Sequence, residues 1–429
     1  MPKSAPARTV GRIAMAALLG AALAAPARAG DLPNSALSLS WGLDPILIDS
    51  PALLCLFPER AVAADSAASL GVQLGRAALW ATTDADPWNV DEHNLGAIWR
   101  GRWFGFFVLA QPNYLVGGDL VRVGSPSLIN NFYPEPFMNE SDVLQAGAGA
   151  RWGGMRAGLA YRATRHRSET GDRDTPSDGS VYLRGEQNAI DFRELAFGLG
   201  ADFRGASVDA AFEWQDEEYE ETYGASTPSE MEATILRGEA RGMAGFAARI
   251  DAPVGQRLRL VAAGHYRWAE RTWTGTRYES TSSQAIAFGE RAKTWGAHLG
   301  LVFATRYVER LVFAGSVVRY DEPLSGLVPP ELWAVTRKAS RGTVTIAAEK
   351  AVWRALAVRA GVSGDYMKAE GGNKSIDDGG SRSRAEETLT DRFHWGLSYR
   401  WRGLRFEASL QAPPQIDIPF EHFDLYWSF

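Results

Sequence analysis

The feature that most constrains this chain is a two-stroke rhythm of short and long connections between alternating segments. Leu356, Val358, Ala360 and Val362 alternate with Ala357, Arg359, Gly361 and Ser363. Phe393, Trp395, Leu397, Tyr399 and Trp401 alternate with His394, Gly396, Ser398, Arg400 and Arg402. Side chains of a strand point to opposite faces in turn, so each such segment predicts a strand with one continuous apolar face and one small or polar face. Short turns fall near Gly101, Gly153-Gly154, Gly205, 253–256, 308–310, 350–353 and Gly403, and longer polar stretches near 82–93, 112–141, 167–188, 221–231, 274–290, 322–330, 370–384 and 412–418.

A soluble sandwich has no reason to keep turns short at one end and long at the other. A transmembrane barrel does, and its backbone groups find partners in lipid only because the sheet closes on itself. The expected fold is therefore all-β: a closed antiparallel transmembrane β-barrel with the apolar face outward. Strands are expected at 69–81, 94–100, 103–111, 142–152, 155–166, 189–204, 206–220, 232–251, 257–273, 291–307, 310–321, 332–349, 354–369, 386–402, 404–411 and 419–429. That is about sixteen, or fourteen if the segments 69–81 and 94–100 lie outside the wall. Trp152, Tyr161, Trp214, Trp268, Trp295, Tyr307, Tyr320, Trp353, Tyr366 and Trp401 lie where interfacial girdles belong.

Ahead of the rhythm, Lys3, Arg8 and Arg12 precede an uncharged run from Ile13 to Ala25, and Ala27-Arg28-Ala29 supplies an A-x-A site. That order is the pattern of a cleaved export signal. The expected division is 1–29 signal peptide, 30–66 N-terminal periplasmic or hatch segment, and 67–429 barrel. Removing 1–29 leaves 41 basic and 51 acidic residues. The acidic balance gives no basis for nucleic-acid binding. A single cysteine, Cys55, excludes an internal disulfide framework and any multi-cysteine metal site.

The chain closes on Phe423-Asp424-Leu425-Tyr426-Trp427-Ser428-Phe429, with Phe423, Leu425, Trp427 and Phe429 on one face. This resembles the C-terminal insertion signal of bacterial outer-membrane β-barrels. The resemblance implies the outer membrane of a Gram-negative bacterium, contact with its lipid and lipopolysaccharide, and recognition by the barrel assembly machinery. The segment from Asp44-Pro45 to Leu53-Leu54 is similar to the Asn-Pro-Ala segment of the FadL-like long-chain fatty acid transporters, with Ser50 where those have Asn. That similarity implies a hydrophobic-compound transporter with an N-terminal hatch.

The alternation assigns pore-lining positions to Arg156, Arg162, Glu213, Glu239, Arg241, Arg259, His265, Arg267, His298, Arg341, Arg359, Asp365, Arg392, His394 and Arg400. Asp209, Arg249, Glu349, Arg405 and Glu407 share the inward register. An arginine-rich wall facing acids sets a field across a lumen; neighbouring charges filling a wet interior pair in the same pattern. His265, His298 and His394 show no metal-ligand spacing, so no metal and no cofactor is expected. Gly361-Val362-Ser363-Gly364 is not a nucleophile elbow, and no enzyme activity is expected. The expected function is a channel or porin-like transporter for passive passage of small solutes, possible also as a homo-oligomer. The alternatives are a structural or assembly barrel that binds partners through its loops, or a FadL-like transporter of hydrophobic compounds.

Overall fold

The computed structural model describes residues 41, 43–51, 53–62, 76–84, 94–117, 133–134, 137–174, 182–226, 231–279, 282–322, 324–327, 335–374, 381–415 and 418–428, with only the backbone described toward the far ends of the long strands. The signal segment 1–29 and Phe429 lie outside the described residues.

Eighteen strands run in chain order: β1 (Ala77–Asp84), β2 (Asn94–Arg100), β3 (Phe104–Gly117), β4 (Tyr133–Pro134), β5 (Phe137–Trp152), β6 (Met155–Asp174), β7 (Tyr182–Phe203), β8 (Ala206–Ser226), β9 (Met231–Pro253), β10 (Leu258–Glu279), β11 (Ser282–Phe303), β12 (Arg310–Glu322), β13 (Leu324–Leu327), β14 (Val335–Ala351), β15 (Leu356–Lys374), β16 (Ser381–Trp401), β17 (Leu404–Gln415) and β18 (Ile418–Ser428). β4 and β13 are short ribbons on the long-loop side, paired with β6 and β11. The other strands form a closed wall of sixteen, each antiparallel to its sequence neighbours, and β1 seals it by pairing with both β18 and β2.

The short connections all fall on one rim. At the β7–β8 turn Arg204 (φ 48°) and Gly205 (φ 84°) both take left-handed backbone, as a two-residue hairpin that follows strand twist requires. The opposite rim differs from the expectation. Segments read as loops at 167–188, 221–231 and 274–290 are mostly strand, and β6 to β11 run 20 to 23 residues each. Crossing a bilayer takes about 9–11 tilted residues. The remainder projects beyond it as paired ribbon in which charged and polar residues interrupt the apolar ones, so its hydropathy reads as loop.

Outward positions carry Phe106, Leu159, Phe197, Leu199, Phe212, Phe313, Ile346, Phe393 and Leu425, each 40–60% exposed. A continuous apolar exterior of this extent belongs in lipid, not water. Trp152, Tyr161, Trp214, Trp268, Tyr366 and Trp401 are exposed as girdle residues would be. Tyr320 is a correction: it pairs with Thr294 on the inward face. The first strand is another. It begins at Ala77, so the exposed Arg76 precedes it; Ala78 and Trp80 face inward and Leu79 outward.

Candidate functional site: the plugged lumen

Residues 41–62 sit inside the barrel. Asp44 caps a 3-10 turn over Pro45–Leu47, accepting the Ile46 N–H at 3.0 Å. One α-helical turn, Leu53–Leu56, and a second 3-10 turn, Pro58–Val62, follow. Trp41, Ile46, Leu47, Ile48, Leu53, Leu54, Leu56 and Phe57 are buried. They share one apolar cluster with inward-facing Trp80, Ile98, Phe107, Leu109, Val261, Val302, Val312 and Tyr426. The interior is thus not wholly polar; an apolar arc on β1 to β3 meets the apolar segment.

The segment crosses the lumen from side to side. Its first turn packs on β10 and β11, and its last on β2, β3, β5, β6 and β7. Gly105 and Gly158 make the second seat possible: a Cβ at Gly105 would run into the Ala61 carbonyl, and one at Gly158 into the Pro58–Glu59 backbone. Toward β15, the indole of Trp41 lies 5.6 Å from the Arg359 guanidinium.

Charges pin the plug. Arg60 donates from Nε and Nη2 to Asp209 Oδ2 at 3.0 and 2.7 Å, and from Nη1 to Asp49. Asp209 Oδ1 accepts from Arg156 at 2.9 Å. Arg249 donates to the carbonyls of Ile46 at 2.9 Å and Leu47 at 3.3 Å. Gln145 donates to the Cys55 carbonyl at 3.1 Å, and His298 Nδ1 lies 3.4 Å from Asp44. Burial alone would raise the Asp49 carboxyl, but Arg60 and Arg249 outweigh it and hold it below its ordinary value. Burial would lower Arg60, but Asp209 and Asp49 outweigh it and hold the guanidinium charged. Burial pushes the Cys55 thiol up to about 12.

Above and beside the plug, inward charges pair between adjacent strands and also over an intervening one. Arg259 donates to Asp251 at 2.8 Å, Arg267 to Glu213 at 3.1 Å and Arg271 to Glu217 at 3.2 Å. Arg359 donates to Glu349 at 2.8 Å and Glu407 at 2.6 Å. Asp365 accepts from Arg341 at 2.7 Å and lies 3.7 Å from Arg392. His265 and His298 approach to 3.3 Å, and Ser363 Oγ lies 2.7 Å from His394 Nε2, though Ser363 is buried.

The strand register turns Arg156, Arg162, Glu213, Arg259, His265, Arg267, His298, Arg341, Arg359, Asp365, Arg392, His394 and Arg400 inward. Glu239 is a correction. β9 carries an extra residue between Met243 and Ala240, a β-bulge seen against both neighbours. Above it the alternation flips, so Gly238 and Ala240 face in while Glu239 pairs with outward Thr272 and Glu218. Arg241 lies in that bulge, its side chain outside the described residues. Phe423, Leu425 and Trp427 face outward on β18. The alternation alone did not single out Asp44, Asp49, Glu59 and Arg60. The available signal was four charges inside an apolar, proline-containing stretch too short for a domain.

A closed sixteen-strand wall with an apolar exterior and a plugged lumen defines an outer-membrane β-barrel. Comparison with solved structures agrees. A FadL homologue from Pseudomonas aeruginosa matches with 10% identity and TM-score 0.50, over 95% of this chain and all of that one. The CymD monoaromatic hydrocarbon channel matches with 10% identity and TM-score 0.40, over 93% and 98% of the two chains. The Pseudomonas putida toluene transporter TodX matches with 10% identity and TM-score 0.37, over 92% and 96%. No family model and no curated protein matches the chain. At this identity the likeness is one of fold: an outer-membrane β-barrel with FadL-like similarity.

Proposed function

We propose that the protein is an outer-membrane transporter for small solutes whose lumen is shut by residues 41–62 and opens when that segment leaves its seat. The observation that carries this is the span of the segment, from β10 and β11 across to β2 through β7. A permanently open pore has no use for a buried apolar strap anchored by Arg60, Arg249 and Asp209. The anchors also suit release, because they tie a short segment to the wall through a few side chains and carbonyls and not as a strand of the sheet.

A second reading, transport of hydrophobic compounds, is favoured by one feature. Trp80, Ile98, Phe107 and Leu109 line the lumen side of β1 to β3. Withdrawal of the plug would bare this apolar arc to a passing solute.

Planar-bilayer recording tests the proposal. Wild-type protein should conduct in brief openings or hardly at all, and a variant lacking residues 41–62 should conduct steadily. If the variant migrates as a folded, heat-modifiable barrel yet conducts no more than wild type, the transporter reading is wrong. A structural or assembly barrel then takes its place.

A further inference from the structure

Glu59 stands out within the plug. Its side chain is fully buried, and among the described residues no other residue donates a hydrogen bond to either carboxyl oxygen. It is wedged against Gly158 and Gly198 of the wall, where any larger side chain would collide with it or its backbone. Its neighbour Asp209 is already committed to Arg60 and Arg156. The inward charges on the strands around this turn are Arg100 on β2, Arg151 on β5, Arg156 and Arg162 on β6, Asp202 and Glu194 on β7, Asp209 and Glu213 on β8 and Arg249 and Asp251 on β9, with Asp49 and Arg60 from the plug itself. A carboxylate here would be buried without a hydrogen-bond donor and beside the Asp209 anion, and the charges of Arg156 and Arg60 offset this only in part. Burying an unpaired charge of this kind is strongly unfavourable.

We propose that Glu59 is a proton-dependent pin: the plug seats with Glu59 as the neutral acid, and unseating releases its proton to water. This rests on the reading of residues 41–62 as a plug that can leave its seat. Burial first, and the charge of Asp209 second, hold the Glu59 carboxyl well above the ordinary carboxylate range. The sign follows from linkage. A group whose seated value is raised stabilises seating fully below its free value, and that stabilisation is lost as pH rises through the seated value. Between the two values the seating equilibrium weakens by up to about tenfold per pH unit. Mildly acid conditions therefore lock the barrel shut, and rising pH loosens it.

The chain supplies its own reporter. Cys55 is the single cysteine, is buried, and lies in the plug four residues before Glu59. Labelling of the full-length protein in lipid nanodiscs with a polar maleimide reports unseating. The rate at each pH is divided by that of unfolded protein at the same pH, from about pH 5 to about pH 8. The wild-type ratio should climb by up to about tenfold per unit over part of this range, and Glu59→Gln should flatten it. Should Glu59→Gln fail the heat-modifiability check, Glu59→Leu serves, and it too should be flat. A flat wild-type ratio overturns the pin. So does an undiminished slope in the variants, which would place the titration on a group other than Glu59. Cys55 that labels at no pH overturns the movable plug itself.

Discussion

At Asp209 one carboxylate serves both the plug and the wall. Its Oδ2 accepts two bonds from Arg60 of the plug, and its Oδ1 one from Arg156 of β6, with Asp209 and Arg156 buried and Arg60 nearly so. Removing one member of a buried pair leaves the others charged and unsatisfied, which costs about 3–5 kcal/mol. The exposed pair Arg165–Asp191, with side chains 58% and 50% exposed, contributes little by comparison. Asp209→Asn should therefore free the plug while sparing the barrel, because the strand ladder does not use the side chain. Normalised Cys55 labelling should rise by at least about 100-fold, with the folded band on unboiled gels unchanged. Unchanged labelling would mean that Asp209 does not hold the plug. Asp209 and Arg249 were legible as inward residues because alternation fixes direction. Their partners were not, because pairing to Arg60 or to the Ile46 carbonyl depends on a segment with no periodicity of its own.

Among the elements, β6 shows how wall and plug were shaped together. Along its inward face Arg156, Gly158, Ala160 and Arg162 follow one another, and the gap at Gly158 admits the Pro58–Glu59 backbone. A Cβ at Gly198 on β7 would meet side-chain atoms, the Glu59 carboxyl and the Pro58 ring; one at Gly158 would meet the Pro58–Glu59 backbone itself. Gly158→Val should unseat the last turn of the plug. Strand pairing should survive, since valine suits a strand and the outward face is untouched. Single-channel recording should show open time rising at least about tenfold, with a smaller rise for Gly198→Ala, which meets side-chain atoms in place of backbone. Equal behaviour of the two variants would contradict the backbone contact. The same scale explains which elements sequence could reveal. The short turns were legible because Gly153, Gly205 and Gly403 mark reversals that the strand rhythm also requires. The β9 bulge was not: one extra residue near Arg241 leaves composition unchanged and reverses every face beyond it, Glu239 included. The strand extensions past the membrane were hidden for a different reason, since their mixed faces carry no clean period-2 signal.

For the molecule as a whole, the apolar side chains of the described residues fall mainly into three populations. One faces outward from the wall, one lines an arc of the lumen, and one forms the plug that covers the arc. A barrel of this kind has its polarity turned partly inside out, and its stability should depend on depth in a way a soluble protein's does not. Phe197 and Phe203 on β7 both face outward, 46% and 61% exposed, but Phe203 ends the strand at the short-turn rim and Phe197 lies six residues deeper. An arginine on the lipid face costs about 2–4 kcal/mol near the bilayer midplane and about 0–1 kcal/mol near an interface. Phe197→Arg should accordingly destabilise the barrel by the larger amount and Phe203→Arg by the smaller, measured by reversible guanidinium unfolding from liposomes. Cys55 should stay protected in both folded variants, because neither side chain reaches the lumen. Equal costs at the two positions would mean that this apolar band does not face a bilayer. A loss of Cys55 protection would mean that wall and plug are coupled more tightly than a few pinned contacts allow.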